Sequence, residues 1–208
     1  MDELYQEKAA DYLTRLEGLG SKRFLELHPH PVLLKGRRGR FSTKRLFLFK
    51  TVTGEGTEAL DGQDSEAGSE EMLEARVIPI KKRDRSSPEH MIFLGRSPNN
   101  DLVVPNTMVS KLHAYFCQVP GERIYQLVDM DSTNGTFVNG ERLLPSVKKT
   151  LRDGDEVAFG PEMRLAFFTG PAFCKLLQKL NPAGQSEAGC GACTAQGEDR
   201  GDGHTKNS

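Results

Sequence analysis

An all-β fold with helical ends is what this sequence predicts, and three observations carry it. From residue 91 onward, short apolar or alternating runs follow one another with turn residues between them, the rhythm of a protein built from short strands. Asn139-Gly140, set between Thr136-Phe137-Val138 and Glu141-Arg142-Leu143-Leu144, is the strongest short hairpin signal a sequence offers, because both residues tolerate positive φ. At both flanks of this region the apolar residues fall instead at helical spacing.

In chain order, residues 1–20 predict an amphipathic helix. Tyr5, Ala9, Tyr12, Leu16 and Leu19 form its apolar stripe, acids open it, and Gly18 and Gly20 stop it. The β region is expected over 21–169. Phe24-Leu25-Glu26-Leu27 and Val32-Leu33-Leu34 read as apolar runs of the sheet, separated by His28-Pro29-His30-Pro31, whose prolines confine it to an edge or a connection. The two histidines have no acid or thiol close by, so a proline-broken turn is preferred to a metal site. Leu46-Phe47-Leu48-Phe49 and the alternating stretch from Leu73 to Ile80 read as strands. Between them, residues 54–71 are rich in acids and glycine and lack any lysine or arginine. Such a segment buries too little apolar area to offset its ordering entropy and is expected to be a disordered insertion.

The strands expected next are Met91 to Leu94, Leu102 to Val104, His113 to Val119, Ile124 to Val128, the hairpin around Asn139-Gly140, Glu156 to Phe159 and Arg164 to Phe168. A short helix over 170–181 follows from the spacing of Phe173, Leu176, Leu177 and Leu180, and residues 182–208 read as a disordered tail.

Composition narrows the function classes. A net charge of −1 gives no general attraction to nucleic acid or to an anionic membrane. No apolar run approaches the ~20 residues needed to span a bilayer, and the acidic N-terminus is unlike a signal peptide, so a cytoplasmic protein is expected. Of the four cysteines, Cys117 and Cys174 fall in apolar runs and read as small buried hydrophobes. Cys190 and Cys193 make one Cys-x-x-Cys pair, half the ligand set of a closed zinc site. No metal and no cofactor is expected.

The chemistry lies in three loop motifs: Gly95-Arg96, Ser110-Lys111-Leu112-His113 and Ser132-Thr133-Asn134-Gly135. An arginine after a strand-ending glycine projects a guanidinium suited to paired, charge-assisted bonds, a serine hydroxyl is a neutral donor, and a lysine adds a mobile second charge. That is equipment for holding a phosphate without cleaving it. In this order, with strands between and a following Leu151-Arg152-Asp153-Gly154-Asp155-Glu156-Val157 turn, the motifs resemble the forkhead-associated (FHA) family of phosphothreonine readers. The resemblance implies a β-sandwich with recognition loops at one end, its motifs covering residues 91–169 and an earlier strand pair from within 24–80 completing it. It further implies that Arg96 and Ser110 bind the phosphate with Lys111 assisting, and that Thr133 and Asn134 hold the peptide backbone. On the same resemblance, Gly95, His113, Gly135, Asn139 and Gly140 would shape the loops. Met108 would set an apolar preference three positions beyond the phosphothreonine, and a buried methyl would favour phosphothreonine over phosphoserine. The partner implied is a protein already phosphorylated by a Ser/Thr kinase.

Rival readings remain beside this one. Asp153, Asp155 and Glu156 are acids around a glycine, which is ordinary turn chemistry as well as the raw material of an acid–base or metal site. The basic segments 35–40 and 81–85 raise nucleic-acid binding, against which stand the near-zero net charge and the lack of interleaved aromatics. A phosphorylated threonine of the chain itself, such as Thr43, Thr53 or Thr57, could occupy the pocket and make a self-inhibiting switch. A structural or interaction module independent of phosphate is the remaining alternative.

Overall fold

The computed structural model describes residues 7–36, 69–83, 88, 90–119, 121–122 and 124–181. Helix α1 (Ala9–Leu27) is followed by β1 (Val32–Lys35), β2 (Arg76–Pro79), β3 (Met91–Gly95), β4 (Leu102–Val103) and β5 (Ala114–Gln118). Then come β6 (Tyr125–Asp129), β7 (Thr136–Val138), β8 (Glu141–Arg142), β9 (Lys149–Thr150), β10 (Glu156–Phe159), β11 (Met163–Phe168) and a closing helix, α2 (Gly170–Leu180). One sheet has the order β2-β1-β11-β10-β7-β8 and the other β4-β3-β5-β6-β9. All pairings are antiparallel except β3 with β4.

Strand parity sorts the apolar residues into two cores. Met163, Leu165 and Phe167 of β11 join Leu33, Ile78, Phe116, Leu127, Val157 and Phe159 between the sheets. The alternate residues Ala166 and Phe168, with Val32, Leu34 and Val77, face a second core capped by Tyr12, Leu16, Phe24, Phe173 and Leu177 of the helices. A strand buried on both faces reads as an unbroken apolar run, which is why β11 lacks the alternation of a half-exposed strand.

The first helix corrects the expected boundary. Gly20 has φ 71° and kinks the chain, yet the helix resumes and ends at Leu27, so Phe24-Leu25-Glu26-Leu27 is helical and not strand. The reason is packing: the Phe24 ring lies 6.4 Å from Tyr12 and 4.8 Å from His28, and Tyr12 in turn lies 5.5 Å from Phe173. Burying one phenylalanine contributes roughly 2–3 kcal/mol, more than the cost of a glycine kink. The strand pair completing the sandwich is therefore β1 and β2. Residues 69–73 are helical, which shortens the expected strand from Leu73 to Ile80 at its start and trims the expected disordered insertion at its end. Leu46 to Phe49, Thr43, Thr53, Thr57, Cys190 and Cys193 lie outside the described residues.

Ties beyond the core lock the ends together. Lys8 N–H donates to the Asp11 carboxylate (2.7 Å) at the start of α1, and Ala9 N–H reaches Ala75 O (2.8 Å). Lys82, from the second basic segment, is largely buried, its ammonium 2.9 Å from Asp101, which also accepts from Arg83 and Phe93 N–H. Burial opposes ionisation of Asp101, but these donors outweigh it and hold the carboxyl below its usual range. Cys117 and Cys174 are buried, which pushes both thiols up.

Candidate functional site

Strand direction gathers the loops that carry the motifs. β3 ends where β5 begins, β6 ends where β7 begins, and β10 ends beside the start of β7, so residues 96–113, 130–135 and 160 share one end of the sandwich. Thr136 and Asp129 join the two sheets there: the Thr136 hydroxyl and the Ser132 hydroxyl (2.6 Å) both donate to Asp129 Oδ1, and Ser132 N–H donates to Oδ2 (3.0 Å). Burial works against a charged Asp129, yet the bonds from Ser132 and Thr136 prevail and keep its carboxyl below the usual carboxylate range.

Arg96 leaves β3 with its N–H on Ser110 O (2.8 Å) and its Nε on Val109 O (3.2 Å). One donor of the exposed guanidinium is thus used for anchorage, and its terminal nitrogens make no hydrogen bond to the described residues. The Ser110 hydroxyl accepts from Thr133 N–H (3.1 Å) and faces the Thr133 hydroxyl at 3.3 Å. Lys111 is exposed, and its carbonyl accepts from Ser97 N–H (3.0 Å) and Asn100 Nδ2 (2.7 Å). A guanidinium, a hydroxyl and an ammonium carried by two loops bonded to each other are donors suited to a tetrahedral dianion.

Gly95 and His113 explain why the junction holds. A Cβ on Gly95 would fall 2.4 Å from Lys111 O, so only glycine lets the two loops touch. His113 is fully buried, accepts Ser110 N–H at Nδ1 (3.0 Å), and therefore carries its proton on Nε2, which donates to Gly135 O (3.2 Å). One neutral ring thus clamps two loops. Burial lowers its pKa from the ordinary histidine value, against weaker opposing effects of the Gly135 carbonyl and Asp129.

Asn134 Nδ2 donates to Met108 O (2.8 Å) and approaches its sulfur at 3.7 Å, while its amide oxygen makes no hydrogen bond to the described residues. Met108 is itself 39% exposed, at the rim of the same end. Gly135 has φ +80° and Gly160 φ +71°, and Gly160 N–H binds Gly135 O (2.9 Å), so both turns need glycine.

Asn139 and Gly140 stand apart. With φ of 53° and 82° they turn β7 into β8, and Asn139 binds Asp155 Oδ1 and Glu156 N–H, each at 2.9 Å. That is the opposite end of the β7–β10 pair from Gly135 and Gly160. The acids after Leu151 are also committed to turns: Asp153 accepts Thr169 N–H (2.6 Å), Asp155 accepts Arg152 N–H (2.8 Å), and Glu156 pairs with Arg164 (2.6 Å).

Three contributors escaped the sequence reading. Asn100 sits buried between Ser97 O and Lys111 O, Asp129 anchors Ser132 and Thr136, and Gly160 packs on Met108 and Asn134. Asn100 lay in a visible Ser-Pro-Asn-Asn-Asp turn cluster, whereas Asp129 sits at the end of a strand run and is joined both to Ser132, three residues on, and to Thr136 on the other sheet.

This two-sheet sandwich, with its loop-borne arginine, serine, histidine and Asn-Gly turn at one end, has the build of a peptide-recognition domain. Residues 92–160 match the family described as FHA domain. The oxoglutarate dehydrogenase inhibitor of Corynebacterium efficiens is 33% identical over 132 residues, covering 63% of this chain and 89% of that protein. That of Corynebacterium glutamicum is 40% identical over 111 residues, 50% and 73% of the respective lengths. The glycogen accumulation regulator GarA of Mycolicibacterium smegmatis is 44% identical over 77 residues, 37% of this chain and 45% of that protein. Among solved structures, the MEK1 FHA domain in complex with a HOP1 phosphothreonine peptide is 26% identical, with a TM-score of 0.37, covering 45% of this chain and 87% of that one. The chain belongs to the FHA family.

Proposed function

We propose that this protein is a non-catalytic adaptor that binds a phosphothreonine on a partner protein, as part of Ser/Thr kinase signalling in the cytoplasm. The observation that carries this reading is Arg96: with no hydrogen bond at its terminal nitrogens among the described residues, it is tied through its N–H and Nε to Ser110 O and Val109 O, on the loop that carries Ser110 and Lys111. In this reading Arg96 and Ser110 take the phosphate oxygens, Lys111 adds charge, and the Asn134 amide oxygen and Thr133 hold the peptide backbone. Met108 meets a side chain beyond the phosphothreonine. Gly95, His113 and Gly135 keep the loops in place.

Other observations agree. The acids that would serve a hydrolase, Asp153, Asp155 and Glu156, are occupied by backbone and arginine donors. Relatives are named oxoglutarate dehydrogenase inhibitor and glycogen accumulation regulator, and the first of these names an enzyme as its target, which supports regulation of a partner enzyme by binding. No helix among the described residues is long and apolar enough to cross a membrane.

Calorimetric titration with a degenerate phosphothreonine peptide pool and its unphosphorylated twin tests the proposal. Binding should require the phosphate. Arg96→Ala should weaken it roughly thirtyfold or more, corresponding to about 2–5 kcal/mol for an under-paired phosphate, while the variant stays folded. Equal binding of both pools, or of both proteins, would refute it.

A further inference from the structure

Arg142 is a cation of the recognition end that the motifs do not include. It lies on the edge strand β8, opposite Phe137 of β7. Its side chain runs back along the hairpin to Gly135: a Cβ on Gly135 would fall 2.6 Å from Arg142 Nε, 3.1 Å from Cζ and 3.2 Å from Nη2. The guanidinium therefore covers the backbone of the turn that carries Asn134. Gly135 has no side chain, and that is what makes room for it.

The position has an electrostatic consequence. Arg142 is exposed, and among the described residues no carboxylate or carbonyl takes its hydrogen bonds. Its neighbours on the hairpin differ: Glu141 pairs with Lys149, and Asn139 is held by Asp155 and Glu156. A fork of donors with no internal acceptor, resting on a backbone-binding turn, presents its charge to whatever chain passes that turn.

We propose that Arg142 is a specificity-determining residue that takes the carboxylate of an acidic side chain flanking the phosphothreonine, on the stretch of peptide that crosses the Asn134-Gly135 turn. The assignment rests on the phosphothreonine reading above and adds a second, separate charge contact to it. Arg96 holds the phosphate, and Arg142 selects the sequence around it.

The test is a set of phosphothreonine peptides in which one aspartate is moved through the flanking positions of an otherwise neutral sequence. Each is titrated against the unaltered protein, Arg142→Gln, Arg142→Lys and, as a control for lost net charge, Lys175→Gln on α2. The readout is the ratio of affinities for the acidic and neutral peptides within each protein, which a purely structural role for Arg142 does not move. The unaltered protein and Lys175→Gln should gain roughly threefold to fivefold at one flanking position, the upper range for an exposed ion pair, and lose that gain at high salt. Arg142→Gln should show a ratio near one, and Arg142→Lys a reduced but measurable gain. A ratio that survives Arg142→Gln, or is absent from the unaltered protein at every position, overturns the inference while leaving phosphate reading intact. Failure of the neutral phosphopeptide to bind the unaltered protein removes the phosphothreonine reading, and this inference with it.

Discussion

His113 concentrates more of the account than any other residue, because one buried ring bonds Ser110 N–H on one loop and the Gly135 carbonyl on another. Replacing it with alanine strands both partners, so His113→Ala should lose about 2–4 kcal/mol in a denaturant titration, at one or more unsatisfied groups of ~1–3 kcal/mol each. The same ring makes a pH prediction. Burial sets its folded pKa below the ordinary ~6.5, so in the window between those two values the unfolded chain holds a proton that the folded chain does not. Stability is therefore full above ~pH 6.5 and declines as pH falls through the window. His28 and His30 are shifted in the same direction, chiefly by burial, so part of the slope should remain in His113→Gln. An identical slope in that variant would contradict the lowered pKa of His113. Gly95→Ala should fail by a different route, forcing the Lys111 carbonyl away from a Cβ it cannot accommodate, at about 1–3 kcal/mol. At this scale residue type offered Arg96 and Ser110 as phosphate donors and the Asn-Gly pairs as turns, whereas His113 entered only through the family resemblance. The sequence was silent on Asp129 and Asn100, whose importance depends on which carbonyl or hydroxyl lies across a gap in the fold.

Elements divide the molecule into the loop end proposed for recognition, the Asn139-Gly140 turn at the opposite end of β7, and a helical layer. The β7–β8 turn at Asn139-Gly140 belongs to the distal part, so Asn139→Ala should cost about 1 kcal/mol of stability in a melting experiment and leave phosphopeptide affinity unchanged. A comparable loss of affinity would place that hairpin in the site after all. The motif order alone could not separate the two Asn-Gly pairs, since they are alike in composition and only the strand between them sends them to opposite ends. Phe24 shows the limit of periodicity: four apolar-rich residues fit a strand or a helix turn equally, and the ring's burial against Tyr12 and His28 decides it. The strands from β3 onward were legible because one face meets the core and turn residues punctuate them. β9 was missed because Lys149 and Thr150 carry no apolar signal, and they pair with β6 only through position.

The whole molecule sets two cores back to back, the inter-sheet core that holds the recognition end rigid and the helical core on the far face of β1, β2 and β11. Phe24→Ala should remove about 3–5 kcal/mol from the second core, yet the protein that remains folded should bind phosphopeptide as before, because the site is built on the other. The central claim is one of place: a phosphothreonine peptide is read by the loops around Arg96, Ser110 and Asn134. Amide NMR mapping during titration with a phosphothreonine peptide tests it most directly. The largest shifts should cluster at residues 95–97, 108–113 and 133–135, with Asn139, Gly140 and the helices still and the unphosphorylated peptide inert. Shifts centred on the helical layer or the Asn139-Gly140 turn, or the same shifts without the phosphate, would contradict it.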